Sequence, residues 1–124
     1  MRLNQITVPS LHVEAAVPFY ETLGMKLIVK AFPHYARFVC SDGASTFSLH
    51  QVEQLPFGEG IYVYFECSDL DDFVNDLIGK GIQFDELPND KPWLWREARL
   101  KDPDNNRLIF YFAGENRLNP PWKV

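Results

Sequence analysis

Apolar and polar residues alternate along Leu3-Asn4-Gln5-Ile6-Thr7-Val8, the pattern of a strand with one buried face. Pro9 and Ser10 are expected to end it. The period then changes: Val13, Ala16, Val17, Tyr20 and Leu23 recur at helical spacing, and Gly24 is the natural stop. Pro18 lacks an N–H and crowds the preceding turn, so the regular helix is expected to begin near it, after an irregular first turn. Three strands should follow: Met25 to Lys30, His34 to Cys40 and, beyond the turn Ser41-Asp42-Gly43, Ser45 to Val52. The polar, Pro- and Gly-containing stretch Glu53 to Glu59 is the best internal linker.

The pattern then restarts. Gly60 to Cys67 reads as a strand, and Ser68 as the N-cap of a helix whose first turn suits Asp69, Asp71 and Asp72. Leu70, Phe73, Val74, Leu77 and Ile78 form its apolar stripe, and Gly79-Lys80-Gly81 stops it. A strand from Ile82 to Leu87, a loop from Pro88 to Pro92, and two strands complete the unit. These last strands, Trp93 to Leu100 and Arg107 to Phe112, flank the turn formers Asp102-Pro103-Asp104-Asn105-Asn106 and make a hairpin. The order strand, helix, three strands thus occurs twice. The expected fold is α+β: two βαβββ modules forming a curved mixed sheet around a cavity, with the helices on the convex side. One domain would span residues 1–124, with modules at about 3–52 and 60–113 and a C-terminal strap at 114–124.

Strand alternation sorts the side chains. Phe47, Leu49, Val63, Phe65, Ala98, Leu100, Leu108 and Phe110 should face the helices. The opposite parity holds Gln5, Thr7, Thr46, Ser48, His50, Tyr62, Tyr64, Glu66, Trp95, Glu97, Arg99, Ile109 and Tyr111. That set mixes rings with a few hydrogen-bonding groups, the make-up of a small-molecule cavity. The hairpin register should set Arg99 opposite Ile109, where a guanidinium can take an anionic ligand group. Ordinary readings stand beside these. His50 also reads as a surface histidine, Glu97 and Arg99 as a simple ion pair, and Trp93 with Trp95 as a lid or an aromatic cluster. His12 and His34 sit near element ends and should be solvated.

Composition narrows the partners. Aromatic residues reach 15%, with ten Phe, five Tyr and three Trp, enough to fill a core and line a cavity. A net charge of −5 argues against a nucleic-acid footprint. Cys40 and Cys67 lack metal-type spacing and are expected as buried thiols inside strands. No signal peptide pattern opens the chain and no apolar run approaches a membrane span, so a cytoplasmic protein is expected.

Phe19-Tyr20-Glu21-Thr22-Leu23-Gly24-Met25 in the first half, taken with Asp102-Pro103-Asp104-Asn105-Asn106 in the second, resembles the vicinal oxygen chelate superfamily. That group includes glyoxalase I, bleomycin-resistance proteins, fosfomycin-resistance enzymes and extradiol dioxygenases. The resemblance covers about Leu3 to Phe112 and implies the fold, but one fold hosts several chemistries. It also implies four metal-ligand positions, which fall here on Gln5, Ser48, Tyr62 and Ile109. Gln is compatible; the other three are unsuited to a metal seeking imidazole nitrogen or carboxylate oxygen.

The expected function is therefore metal-free binding of a small, partly aromatic or anionic molecule, with no cofactor. Its ligand would meet Gln5, Ser48, His50, Tyr62, Tyr64, Trp95, Arg99, Ile109 and Tyr111. The alternative is a metal-dependent lyase, isomerase or dioxygenase holding Ni, Zn, Fe or Mn at a displaced site of Gln5, His50 and Glu66. A metal-free enzyme using His50 or Glu66 as general base is a third possibility. The resemblance further implies a homodimer, and the strap with Pro120, Pro121 and Trp122 would lie on its own domain or across the partner subunit.

Overall fold

The computed structural model describes all 124 residues. In chain order the elements are β1 (Gln5–Ser10), α1 (Val13–Thr22), β2 (Lys26–Ala31), β3 (Tyr35–Val39), β4 (Thr46–Gln51), β5 (Tyr62–Glu66), α2 (Leu70–Gly79), β6 (Glu86–Asp90), β7 (Arg96–Lys101) and β8 (Arg107–Phe112). A 3₁₀ turn, Gly114–Arg117, follows. The strands make two four-stranded sheets, ordered β1-β4-β3-β2 and β5-β8-β7-β6. In each, the first strand lies parallel to the last and the other pairs are antiparallel. The duplicated β-α-β-β-β order read from the sequence is therefore present in both halves.

Two compact units result: Met1–Gly60 with the turn Asp102–Asn106, and Ile61–Lys101 with Arg107–Val124. In the first, α1 lies across β2, β3 and β4 and buries Val13, Ala16, Val17 and Tyr20 against Phe38, Phe47 and Leu49. The Tyr20 ring lies 5.5 Å from Phe38 and 4.8 Å from Phe47. In the second, α2 packs on β6 and β8 and buries Leu70, Val74 and Leu77, with Phe110 at 5.4 Å from Phe73. Ile78 of the expected stripe is exposed.

Both helices end the same way. Gly24 and Gly81 take positive φ, and the residue after each returns its N–H to a carbonyl five residues back, Met25 to Tyr20 at 3.2 Å and Ile82 to Leu77 at 3.0 Å. Only glycine adopts that left-handed position at no steric cost, which is why Gly stops both helices.

Several boundaries differ from the sequence reading. β1 continues through Pro9 and Ser10, because an edge strand tolerates a missing donor. α1 is regular from Val13 with Pro18 inside it; the buried face outweighs the one lost backbone bond. The α2 cap is Asp69 rather than Ser68. β6 starts at Glu86 rather than Ile82, since the Ile82 N–H is committed to closing α2; Pro88 is again tolerated at an edge. β7 starts at Arg96 because Lys91 to Trp95 close a tight loop, with Leu94 N–H to Lys91 carbonyl at 2.9 Å and Leu94 at φ +67. Cys40 and Cys67 lie just past the ends of β3 and β5, half-buried and not joined in a disulfide.

Candidate functional site

The turn Asp102–Asn106 is fixed within the first unit by one carboxylate. Asp102 Oδ1 accepts the N–H groups of Asp104 and Asn106, both at 2.8 Å. Its Oδ2 accepts the Tyr20 hydroxyl at 2.5 Å and Asn106 Nδ2 at 2.8 Å. Asn106 Nδ2 also donates to the Pro9 carbonyl at 2.9 Å, and Asp104 Oδ1 accepts the Leu11 N–H at 2.8 Å. Burial pushes the Asp102 carboxyl up, against the pull of these donors. Burial and the Asp102 charge likewise raise the Tyr20 phenol. The two motifs that carried the family resemblance are thus a structural latch.

On the face of the first sheet away from α1, Gln5, Thr46, Ser48, Tyr35 and Arg37 form one polar network. Ser48 is 0% exposed, and its Oγ accepts from Gln5 Nε2 at 2.9 Å and from the Tyr35 hydroxyl at 2.7 Å. Arg37 Nε donates to the Tyr35 oxygen at 2.9 Å, and the Thr46 hydroxyl donates to Gln5 Oε1. Burial pushes the Tyr35 phenol up, but the Ser48 and Arg37 bonds and the guanidinium charge outweigh it and hold it below the ordinary value. Tyr35 and Arg37 were not among the residues singled out from sequence. The alternation of β3, with Ala36 and Phe38 buried, carries the signal that finds them. His50 is exposed, beside Pro9 and Tyr35 in the ladder. Gln5 and His50 stand four ladder positions apart, about 13 Å at the usual strand rise.

The second sheet brings together Tyr62, Tyr64, Trp95, Arg99, Ile109 and Tyr111, all of the second-half ligand candidates. Trp95 stacks on Tyr111 at 4.7 Å, and Tyr64 meets both edge-on, at 5.7 and 5.5 Å. Ile109, Tyr111 and Ala113 are buried beneath Trp95, whose Nε1 donates to the Asn116 carbonyl at 3.3 Å. The start of the strap thus packs on this face, and Tyr64 remains 43% exposed. Trp93 is separate from the cluster: its Nε1 donates to Glu97 at 2.7 Å. Glu97 is 0% exposed and also accepts from Arg99 Nη2 at 3.0 Å, so the pair runs along one strand. Burial pulls the Arg99 guanidinium down, but the Glu97 hydrogen bond and the charges of Glu97 and Glu86 prevail and raise it. The register sets Arg99 opposite Ile109 as expected, and the guanidinium lies 5.8 Å over the Tyr62 ring. Glu66 is exposed, 3.9 Å from Arg117.

The four positions at which the resemblance implies metal ligands do not fit a divalent ion. Ile109 has no donor atom, and the Ser48 oxygen already accepts two hydrogen bonds. Tyr62 offers a phenol where imidazole is usual, and no three His, Cys, Asp or Glu side chains gather as a metal-holding group. No helix is long and apolar enough to cross a membrane.

Comparison with known proteins agrees with this architecture. A crystal structure of a glyoxalase/bleomycin resistance protein/dioxygenase from Nocardioides superposes with a TM-score of 0.79 at 23% identity, covering 100% of this chain and 89% of that one. Lactoylglutathione lyase from Agrobacterium tumefaciens gives 0.75 at 15% identity, covering 90% and 93%. A bleomycin-binding protein complexed with bleomycin gives 0.76 at 19%, covering 90% and 98%. Identities this low speak to fold alone, and no curated protein matches the sequence. The family model is broader in reach: it matches residues 2–110, from before β1 to within β8, across both β-α-β-β-β units. The chain belongs to the glyoxalase/bleomycin resistance protein/dioxygenase superfamily.

Proposed function

We propose that this chain is a metal-independent binder of a small organic molecule carrying an aromatic ring. The observation that carries this reading is the aromatic cluster on the second sheet, where Tyr64, 43% exposed, stands edge-on to the half-buried Trp95 and the buried Tyr111, with metal-ligand positions that offer poor donors. Rings add stacking energy beyond buried area, and a rigid aromatic surface costs little entropy to organise. Tyr62 and Arg99, on the same face of the second sheet, supply polar contacts in this reading. The fold shared with a bleomycin-binding protein complexed with bleomycin supports sequestration as the action. A cytoplasmic homodimer is part of the same proposal. Sedimentation velocity tests the dimer.

The ligand test uses a neutral fused-ring probe, 2-naphthamide, and the tryptophan emission of the chain, to which Trp93, Trp95 and Trp122 all contribute. Titration should quench saturably, and Tyr64→Ala should weaken binding several-fold. In parallel, elemental analysis follows incubation with nickel, zinc, iron(II) or manganese and then dialysis; no stoichiometric metal should remain. Either a retained stoichiometric metal or unchanged emission would falsify the proposal.

A further inference from the structure

Where β5 and β8 begin and β7 ends, the open face of the second sheet forms a groove of about 290 Å³. Tyr62, Arg99, Lys101, Arg107 and Ile109 line it, with Asp85 and Glu86 along one side. Lys101 and Arg107 stand directly opposite each other across β7 and β8, and Arg99 lies one pleat along, opposite Ile109. Like charges set directly opposite destabilise a strand pair, so this juxtaposition is unfavourable in the free protein. The available carboxylates only partly relieve it. Lys101 Nζ is 3.6 Å from Asp85, and Glu86 is already engaged by Lys91 and by Asn89 at 2.7 Å. Arg99 Nε is buried without a hydrogen bond, 3.6 Å from Glu86 Oε2. The Arg107 guanidinium has neither an ion pair nor a hydrogen bond.

We propose that this groove seats an oxyanion, a carboxylate or phosphate group, held chiefly by the Arg107 fork, with Lys101 and Arg99 Nε assisting. Three cations face two carboxylates here, and the cation with no partner is the one whose planar fork suits a bidentate oxyanion. The proposal rests on the small-molecule reading above and names the ligand's class. On this face Ile109 follows Arg107 along β8 by one pleat of about 7 Å, and Ile109 pairs across the ladder with Tyr64, which is 43% exposed. A ligand of roughly 10 Å reaches from the Arg107 fork to the Tyr64 ring, with an oxyanion at one end and an aromatic ring at the other.

The test compares 2-naphthyl phosphate with 2-naphthamide by calorimetric titration of the full chain and of Arg107→Gln. Inorganic phosphate is run as a third probe by thermal shift against chloride at equal ionic strength. The wild type should prefer the phosphate ester at least ten-fold. Arg107→Gln should lose that preference and keep its affinity for the amide. Lys101→Gln should lose a smaller part of it, and stands in if Arg107→Gln does not fold. Equal affinities, or a preference that survives both substitutions, overturn the groove and leave the aromatic reading intact. If neither naphthyl probe binds but inorganic phosphate stabilises the wild type and not Arg107→Gln, the groove stands and the aromatic reading falls. No response to any probe overturns both.

Discussion

Leu94 adopts φ +67, a region in which a γ-branched side chain is strained by about 1–2 kcal/mol. It occupies the place in a short hairpin loop where glycine is usual. The residue is 47% exposed, so only part of its packing offsets the strain. Leu94→Gly should therefore stabilise the fold by about 1 kcal/mol, after allowing for the greater freedom of glycine in the unfolded chain. Urea unfolding measures this, and a loss of stability would mean that the Leu94 side chain makes a contact of consequence. The same loop shows where sequence reading stops. Trp93-Leu94-Trp95 has the composition of a strand, and only the closing bonds of Lys91 with Leu94 and Trp95 make it a turn. At the candidate site, the alternation of β5, β7 and β8 placed Tyr64, Trp95, Arg99 and Tyr111 on one face from sequence alone. The same reading joined Trp93 to Trp95 in one lid or cluster, but Trp93 lies outside β7 and its Nε1 donates to Glu97 instead.

Among the elements, α2 is tied to its sheet by charge as well as by its apolar stripe. Arg96 on β7 donates to both oxygens of Asp71, at 2.9 Å each, and to Asp90 on β6 at 3.0 Å. These hydrogen bonds hold the Asp71 carboxyl below its ordinary value of 3.8. A depressed folded pKa adds stability that is complete above the unfolded value and is lost as pH falls through the folded one. The stability gap between wild type and Asp71→Asn should thus be constant at neutral pH and close progressively in acid below 3.8. Because Asp71 is exposed, the gap is small and shrinks with salt. A gap unchanged down to pH 2, by urea unfolding across the series, rules the bridge out as a titrating contact. Arg96 and Asp71 lie 25 residues apart, and neither spacing nor periodicity announces such a pair. Helix stops were legible for the opposite reason: Gly24 and Gly81 act through their own backbone, so the residue itself is the signal. The start of β6 was not, since the Ile82 N–H closes α2 and takes the first residue of an otherwise good strand sequence.

For the molecule as a whole, the duplicated order was readable because each half repeats its periodicities, strand then helix then strands. What the order does not reveal is that the turn between β7 and β8 belongs by its hydrogen bonds to the first unit. Asp102 accepts four bonds there, and the strands that flank it are the central pair of the second sheet. One carboxylate therefore bears on both units, through space on α1 and through the chain on the hairpin. Asp102→Ala leaves the Tyr20 hydroxyl buried without its acceptor and the turn without its internal bonds, at a cost of several kcal/mol when summed over these groups. Hydrogen exchange reads the consequence by segment. Protection should fall both in α1 around Tyr20 and at the turn-proximal ends of β7 and β8, and the exchange at β5 and α2 should change least. A loss confined to α1 and β1 would show that the hairpin holds its turn without Asp102, and the motif would then be a feature of the first unit alone.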